Sequence, residues 1–214
     1  MAINKRKASP IVKIGIWVIS AMLVLSFTLP MLIDGLSGNT GATNTGTGQL
    51  DATAAKFGPS VQALEQQLAS QPTSYTVLAS LGNTYFDWGM EAQQVSPDTG
   101  ASRPMWNSAV TYYDRALEVQ PGDPNVMTDA SIAHFYSGDA VGAIAIIEAV
   151  IADNPDFAPG YFNAAIFYEA IGRNAEALAA ARKALALGTG GDPQVMNDLI
   201  ARVSTGTVET TTAP

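Results

Sequence analysis

Two carboxylates one helical turn apart, Asp87 and Glu91, are the residues of this 214-residue chain whose type and spacing most suggest chemistry. Such a pair serves acid–base catalysis when a nucleophile, a phosphate loop or a bound metal stands beside it. None accompanies them. The chain has no cysteine, which removes thiolate nucleophiles, thiolate metal sites, disulfides and a lipid-modified cysteine after a signal sequence. Its single histidine, His134, excludes a multi-histidine metal site within one chain. The glycine-rich stretch before residue 57 follows no strand, so it is no phosphate cradle. Asp87 and Glu91 therefore read as a solvated helix face. The sequence points to a protein that is not an enzyme, with no cofactor and no metal.

Charge narrows the partners. The net charge is −8, with the two signs segregated: Lys5, Arg6, Lys7 and Lys13 are four of the eleven basic residues. From Gly35 onward seven basic residues face eighteen acidic ones, a net charge of about −11. Nucleic-acid affinity comes mainly from Lys and Arg neutralising phosphates, so this body is expected to repel nucleic acid.

The elements that would position any site begin with a membrane segment. Residues 14–33, from Ile14 to Ile33, read IGIWVISAMLVLSFTLPMLI, twenty residues without a charge. At about 1.5 Å per residue such a helix matches a hydrocarbon core of roughly 30 Å. The basic tail 1–13 precedes it, which places the N-terminus in the cytoplasm and the rest of the chain outside. A cleaved signal peptide has a shorter apolar run, ending at a small-x-small site. Here the A-x-A at Ala52 and Ala54 lies some twenty residues too far on, which favours a retained signal-anchor. Residues 34–56, nearly all Gly, Thr, Asn and Ala, read as a flexible linker, and 204–214 as a disordered tail.

The body between them is repetitive. Pro121 and Pro155, His134 and Tyr168, and Gly138 and Gly172 each stand 34 residues apart. Ala109, Ala143 and Ala177, and Ala116, Val150 and Ala184, keep the same step. Several independent positions on one period mean one supersecondary unit used repeatedly. An earlier copy, marked by Pro72, Tyr85 and Gly89, is offset by 49, so fifteen residues are inserted between Gly89 and Ala109. Pro97, Gly100 and Pro104 make at least the middle of insertion 90–105 a loop. Each copy splits into two helices: Leu78, Leu81, Gly82 and Tyr85 share a face that Gly89 is expected to end. Small residues (Gly82, Ser131 and Ala165) fall where paired helices would cross closely.

This pattern resembles the tetratricopeptide repeat. The family's L-x-x-L-G-x-x-Y, then A-x-x-x-F, then Pro is matched by Leu78, Leu81, Gly82, Tyr85, Ala109, Tyr113 and Pro121. Met127, Ala130, Ser131, His134, Ala143, Ile147 and Pro155 form a weaker second copy. Tyr161, Ala164, Ala165, Tyr168, Ala177 and Ala181 form a third, in which Thr189 replaces the closing proline. The resemblance implies an all-α array of helical hairpins over 57–203, with repeats at about 72–121, 122–155 and 156–188. A helix over 59–70 would precede them and a polar capping helix over 192–203 would close the stack. The chain also resembles bacterial membrane-anchored repeat proteins with one N-terminal helix.

In this family the first helix of each pair lines a concave groove that takes a protein or peptide segment. With Leu78, Leu81 and Tyr85 facing the core, the opposite stripe carries Thr76, Ser80, Asn83, Phe86 and Asp87. In the second copy it carries Asn125, Asp129, Ile132, Phe135 and Tyr136, and in the third Phe162, Asn163, Ile166 and Glu169. Apolar side chains on a stripe that should meet water suggest a partner surface, unless they pack on a neighbouring helix or the insertion. Some relatives grip a C-terminal carboxylate with basic residues here; this stripe has none, and suits an extended neutral or basic segment. Self-association of a structural envelope protein through the groove or cap is the alternative. His134 takes the place of the family tyrosine and is expected to pack on a helix face.

Overall fold

The computed structural model describes residues 45–97, 100–188 and 190–206. The basic tail, the apolar segment 14–33, residues 34–44 of the expected linker and residues 207–214 lie outside them. Every regular element among the described residues is helical: α1 Thr45–Ser70, α2 Tyr75–Val95, α3 Arg103–Val119, α4 Pro124–Ser137, α5 Ala140–Asp153, α6 Ala158–Ala170, α7 Asn174–Leu187 and α8 Pro193–Gly206. None of these helices is long and apolar enough to cross a membrane.

The helices fall into two compact units, one ending at Gln120 and one starting at Pro121. In the first, α2 pairs with α3 and α1 packs on α2. In the second, α4 pairs with α5, α6 with α7, and α8 packs on α7 and α6. The repeat marks have local causes. Asp123 caps α4 by accepting the N–H groups of Asn125 and Val126, with Pro124 at the first helical position. Gly138 ends α4 at φ 103°, a left-handed turn that favours glycine, and its counterpart Gly172 follows α6 at φ 76°.

The expected core face holds: Leu78, Leu81 and Tyr85 are buried, as are Ala109, Tyr113, Ala143, Ile147, Ala164, Ala165, Ala177 and Ala181. The small residues stand where packing is tight. A Cβ on Gly82 would meet the ring of Tyr113.

Four expectations need correction. Gly89 does not end its helix: α2 runs on to Val95, and Gly89 is buried where a Cβ would come 2.8 Å from the indole of Trp106. It is a close-approach glycine, and the helix continues because Met90, Glu91, Ala92, Gln93 and Gln94 include good helix formers. The linker 34–56 is not coil throughout, since α1 starts at Thr45. Thr53 is buried against Trp88 of α2 and Phe57 stacks on the same indole, so contact with α2 and continuity with the buried turns of 59–70 override the weak propensity of Gly and Thr. Ser80, placed on the open stripe, is buried at 6 % exposure. Finally, α8 continues to Gly206, three residues into the expected tail, with Met196, Leu199 and Val203 buried on one face.

Candidate interaction surfaces

In the first unit α2 carries Asn83, Phe86 and Asp87. The Tyr113 hydroxyl donates to Asn83 Oδ1 at 2.9 Å, so the carbonyl end of that amide is already engaged. Phe86 is half-buried, edge-on to the fully buried ring of Trp106 at 5.3 Å. Asp87 is exposed and lines a shallow cavity of about 350 Å³ with Lys56, Phe57, Met90, Glu91 and Gln94. Partial burial raises its pKa above the usual carboxylate value, an effect the nearby Lys56 ammonium opposes. Glu91 is paired with Lys56, whose ammonium also lies 4.8 Å from the ring centre of Phe57.

Behind this surface runs a line of rings. Phe57 stacks on Trp88 at 6.0 Å, Trp88 on Tyr85 at 6.0 Å, and Tyr85 on Tyr112 at 5.7 Å. The Tyr112 hydroxyl donates to Glu65 Oε1 at 2.5 Å, and Glu65 is 2 % exposed. Burial, then the Glu65 hydrogen bond, pushes the Tyr112 pKa above the ordinary phenol range. Burial does the same to Tyr85, whose buried hydroxyl has no hydrogen-bond partner among the described residues. Lys56, Phe57 and Glu65 were not legible as site or core residues. Lys56 and Phe57 lie at the end of the Gly/Thr-rich stretch, and Glu65, within the expected helix 59–70, is of a type that usually faces water.

In the second unit α4, α6 and α8 touch in succession and form one face. Ile132, Phe135, Phe162 and Ile166 are half-buried and pack against the core of Ala143, Ile147, Ala164, Phe167 and Ala181. Phe135 stacks on Phe167 at 4.6 Å, and Tyr136 meets Phe135 edge-on at 5.6 Å while remaining 44 % exposed. Asp129 is half-buried. The Asn163 amide donates to the Pro159 carbonyl at 2.9 Å, a bond within its own helix. Glu169 receives two 2.9 Å hydrogen bonds from Arg202 of α8, through Nε and Nη2. The stripe read as lacking a basic residue therefore has a guanidinium beside it, supplied by the capping helix. The stripe residues thus serve two roles: their inner edges fill the core and their outer edges meet water.

His134 packs as expected, with only 14 % of its side chain exposed, and Nδ1 lies 2.9 Å from Asp139 Oδ2. Asp139 caps α5 by accepting the Gly142 N–H at 2.9 Å. That backbone bond first, and His134 second, hold its carboxyl below the usual range. At the matching position Tyr168 donates to Glu148 Oε1 at 2.7 Å, with the Arg173 guanidinium 4.5 Å from its ring centre. Burial and Glu148 push the Tyr168 pKa up to about 12.

Among solved structures, the crystal structure of MamA protein is 19 % identical, with a TM-score of 0.54 over 75 % of this chain and 87 % of that one. The Sgt2 TPR domain from Aspergillus fumigatus is 17 % identical, with a TM-score of 0.49 over 62 % of this chain and 82 % of that one. No protein-family model matches the sequence. No curated protein matches it either. The fold is TPR-like: an all-α array of helical hairpins.

Proposed function

We propose that this chain is a membrane-tethered protein–protein interaction scaffold or assembly factor, not an enzyme. In this reading residues 14–33 anchor it as a single-pass protein, and the repeat domain stands outside the cytoplasm on a tether that ends where α1 begins. The observation that carries the binding role is the face of α4 and α6. Ile132, Phe135, Phe162 and Ile166 keep part of their apolar surface in water beside the exposed Tyr136. Exposed apolar side chains grouped on one face mark binding surfaces more often than scattered ones do. Asp129 and Glu169 add acidity, which suits an extended neutral or basic segment of a partner protein.

The test is photocrosslinking in the native membrane, with reactive groups at Phe135, Tyr136 and Phe162 and at the exposed Arg182 as control. One heterologous protein captured from the three stripe positions and not from Arg182 is the expected result. Capture of nothing would sink the scaffold reading. Capture of a second copy alone would replace it with self-association, for which the exposed Val141 on α5, at 82 %, offers an apolar contact.

A further inference from the structure

The two halves of α1 are built differently. Residues 59–70 hold no glycine or threonine and bury Val61, Leu64, Glu65 and Leu68. Residues 48–58 include Gly48, Thr53 and Gly58, and of their longer side chains only Thr53 is buried, with Leu50 and Phe57 half-buried. A Cβ on Gly48 or Gly58 would meet nothing within 4 Å, in contrast to Gly82 and Gly89. Packing therefore does not require glycine at either place; what glycine contributes there is low helix propensity. Between the halves stands Pro59, which has no N–H to give the carbonyl of Ala55 and so interrupts the hydrogen-bond ladder at that turn.

The first half lies on the end of α2 that the insertion lengthens. Trp88 Nε1 donates to Thr53 Oγ1 at 2.9 Å, Phe57 stacks on Trp88, and Lys56 pairs with Glu91. Ala92 is fully buried, and Trp88 is 8 % exposed. We propose that residues 48–58 form a hinged strap, pivoting at Gly58–Pro59, which closes over Trp88 of α2. Opening returns the Trp88 indole, its N–H included, to water as an apolar strip flanked by the carboxylates of Asp87 and Glu91. The uncovered strip fits a segment with the chemistry the strap itself presents, an aromatic residue beside a basic one. The inference rests on α1 and α2 alone and does not depend on the role of the α4 and α6 face.

Hydrogen exchange by mass spectrometry on the full chain in mild detergent tests it. Amides of 48–58 should exchange faster than those of 61–68, and Gly48→Ala should slow the first group about fivefold while leaving the second unchanged. Pro59→Ala, which restores the ladder, should bring 48–58 toward the protection of 61–68. Thr53→Val should speed exchange in 48–58 by about fivefold and raise the solvent exposure of Trp88 in fluorescence quenching. Equal protection of both halves in the native chain would overturn the proposal. So would Gly48→Ala slowing both halves alike, because α1 would then open as one rod.

Discussion

Aromatic rings fill the first unit, with Tyr85, Trp88, Trp106, Tyr112 and Tyr113 all buried, whereas methyl groups fill much of the second, with Ala130, Ala133, Ala143, Ala164, Ala165, Ala177, Ala180, Ala181 and Ala184. The contrast can be followed position by position. Gly82 on α2 faces the Tyr113 ring on α3. The positions in step with this pair are Ser131 and Ile147, then Ala165 and Ala181, and all six are buried. A glycine opposite a ring and a serine in step with an isoleucine trade volume between the helices of one hairpin at nearly constant total, whereas the two alanines fill less space. Close packing allows such exchanges where total volume and patterning are kept. The first unit also buries a carboxylate, Glu65, beside Tyr112, whereas the carboxylate that Tyr168 meets in the second, Glu148, is exposed.

Removing a ring is the sharpest way to break this comparison. Trp106→Ala should cost about 3–5 kcal/mol, because the backbone around Gly89 cannot close the space the indole leaves. Urea unfolding followed by far-UV circular dichroism measures it, and a loss below about 1 kcal/mol would show the ring to be replaceable. Tyr112→Phe should cost about 1.5–3 kcal/mol, since it removes the hydrogen bond to the buried Glu65 while adding no new contact. Ala181→Leu attacks the second unit from the other side. Overpacking there should cost about 1–3 kcal/mol, and a neutral result would mean that the alanine core holds unfilled space.

The smallest effect belongs to a cap. Asp139→Ala should cost about 1 kcal/mol or less, because the carboxylate is half exposed and solvent screens its pairing with His134. Its folded pKa is lowered, so its contribution is present above the ordinary aspartate value of about 3.9 and is lost as pH falls through the lower folded value. The difference in thermal midpoint between the two proteins should therefore be smaller below about pH 4 than at about pH 5.

The second unit was legible almost helix by helix. Its 34-residue step and its glycines at Gly138 and Gly172 are signals carried by the chain that need no distant partner. The first unit was legible at its centre and misread at its edges. Gly89 looks like a helix end because glycine after a periodic run usually is one; here it admits Trp106, seventeen residues further on. The candidate surface divides the same way. Ile132, Phe135, Phe162 and Ile166 were identifiable from helical period, but Arg202 beside Glu169 and Lys56 beside Glu91 were not, because each pair joins residues more than thirty positions apart.

The class of fold, the number of hairpins and most of the inward-facing positions of the repeats are legible in the chain alone. These follow from periodicity, and periodicity is a property of neighbours three, four or thirty-four residues apart. Only the tertiary structure decided that half of a Gly/Thr-rich stretch is helix, that the insertion lengthens α2, and that a carboxylate lies buried beside two tyrosines. Each of these depends on free energy gained by contact between distant segments, the Thr53 hydroxyl against the Trp88 indole or Glu65 against Tyr112. Local propensity runs against the first of them, and contact with α2 outweighs it.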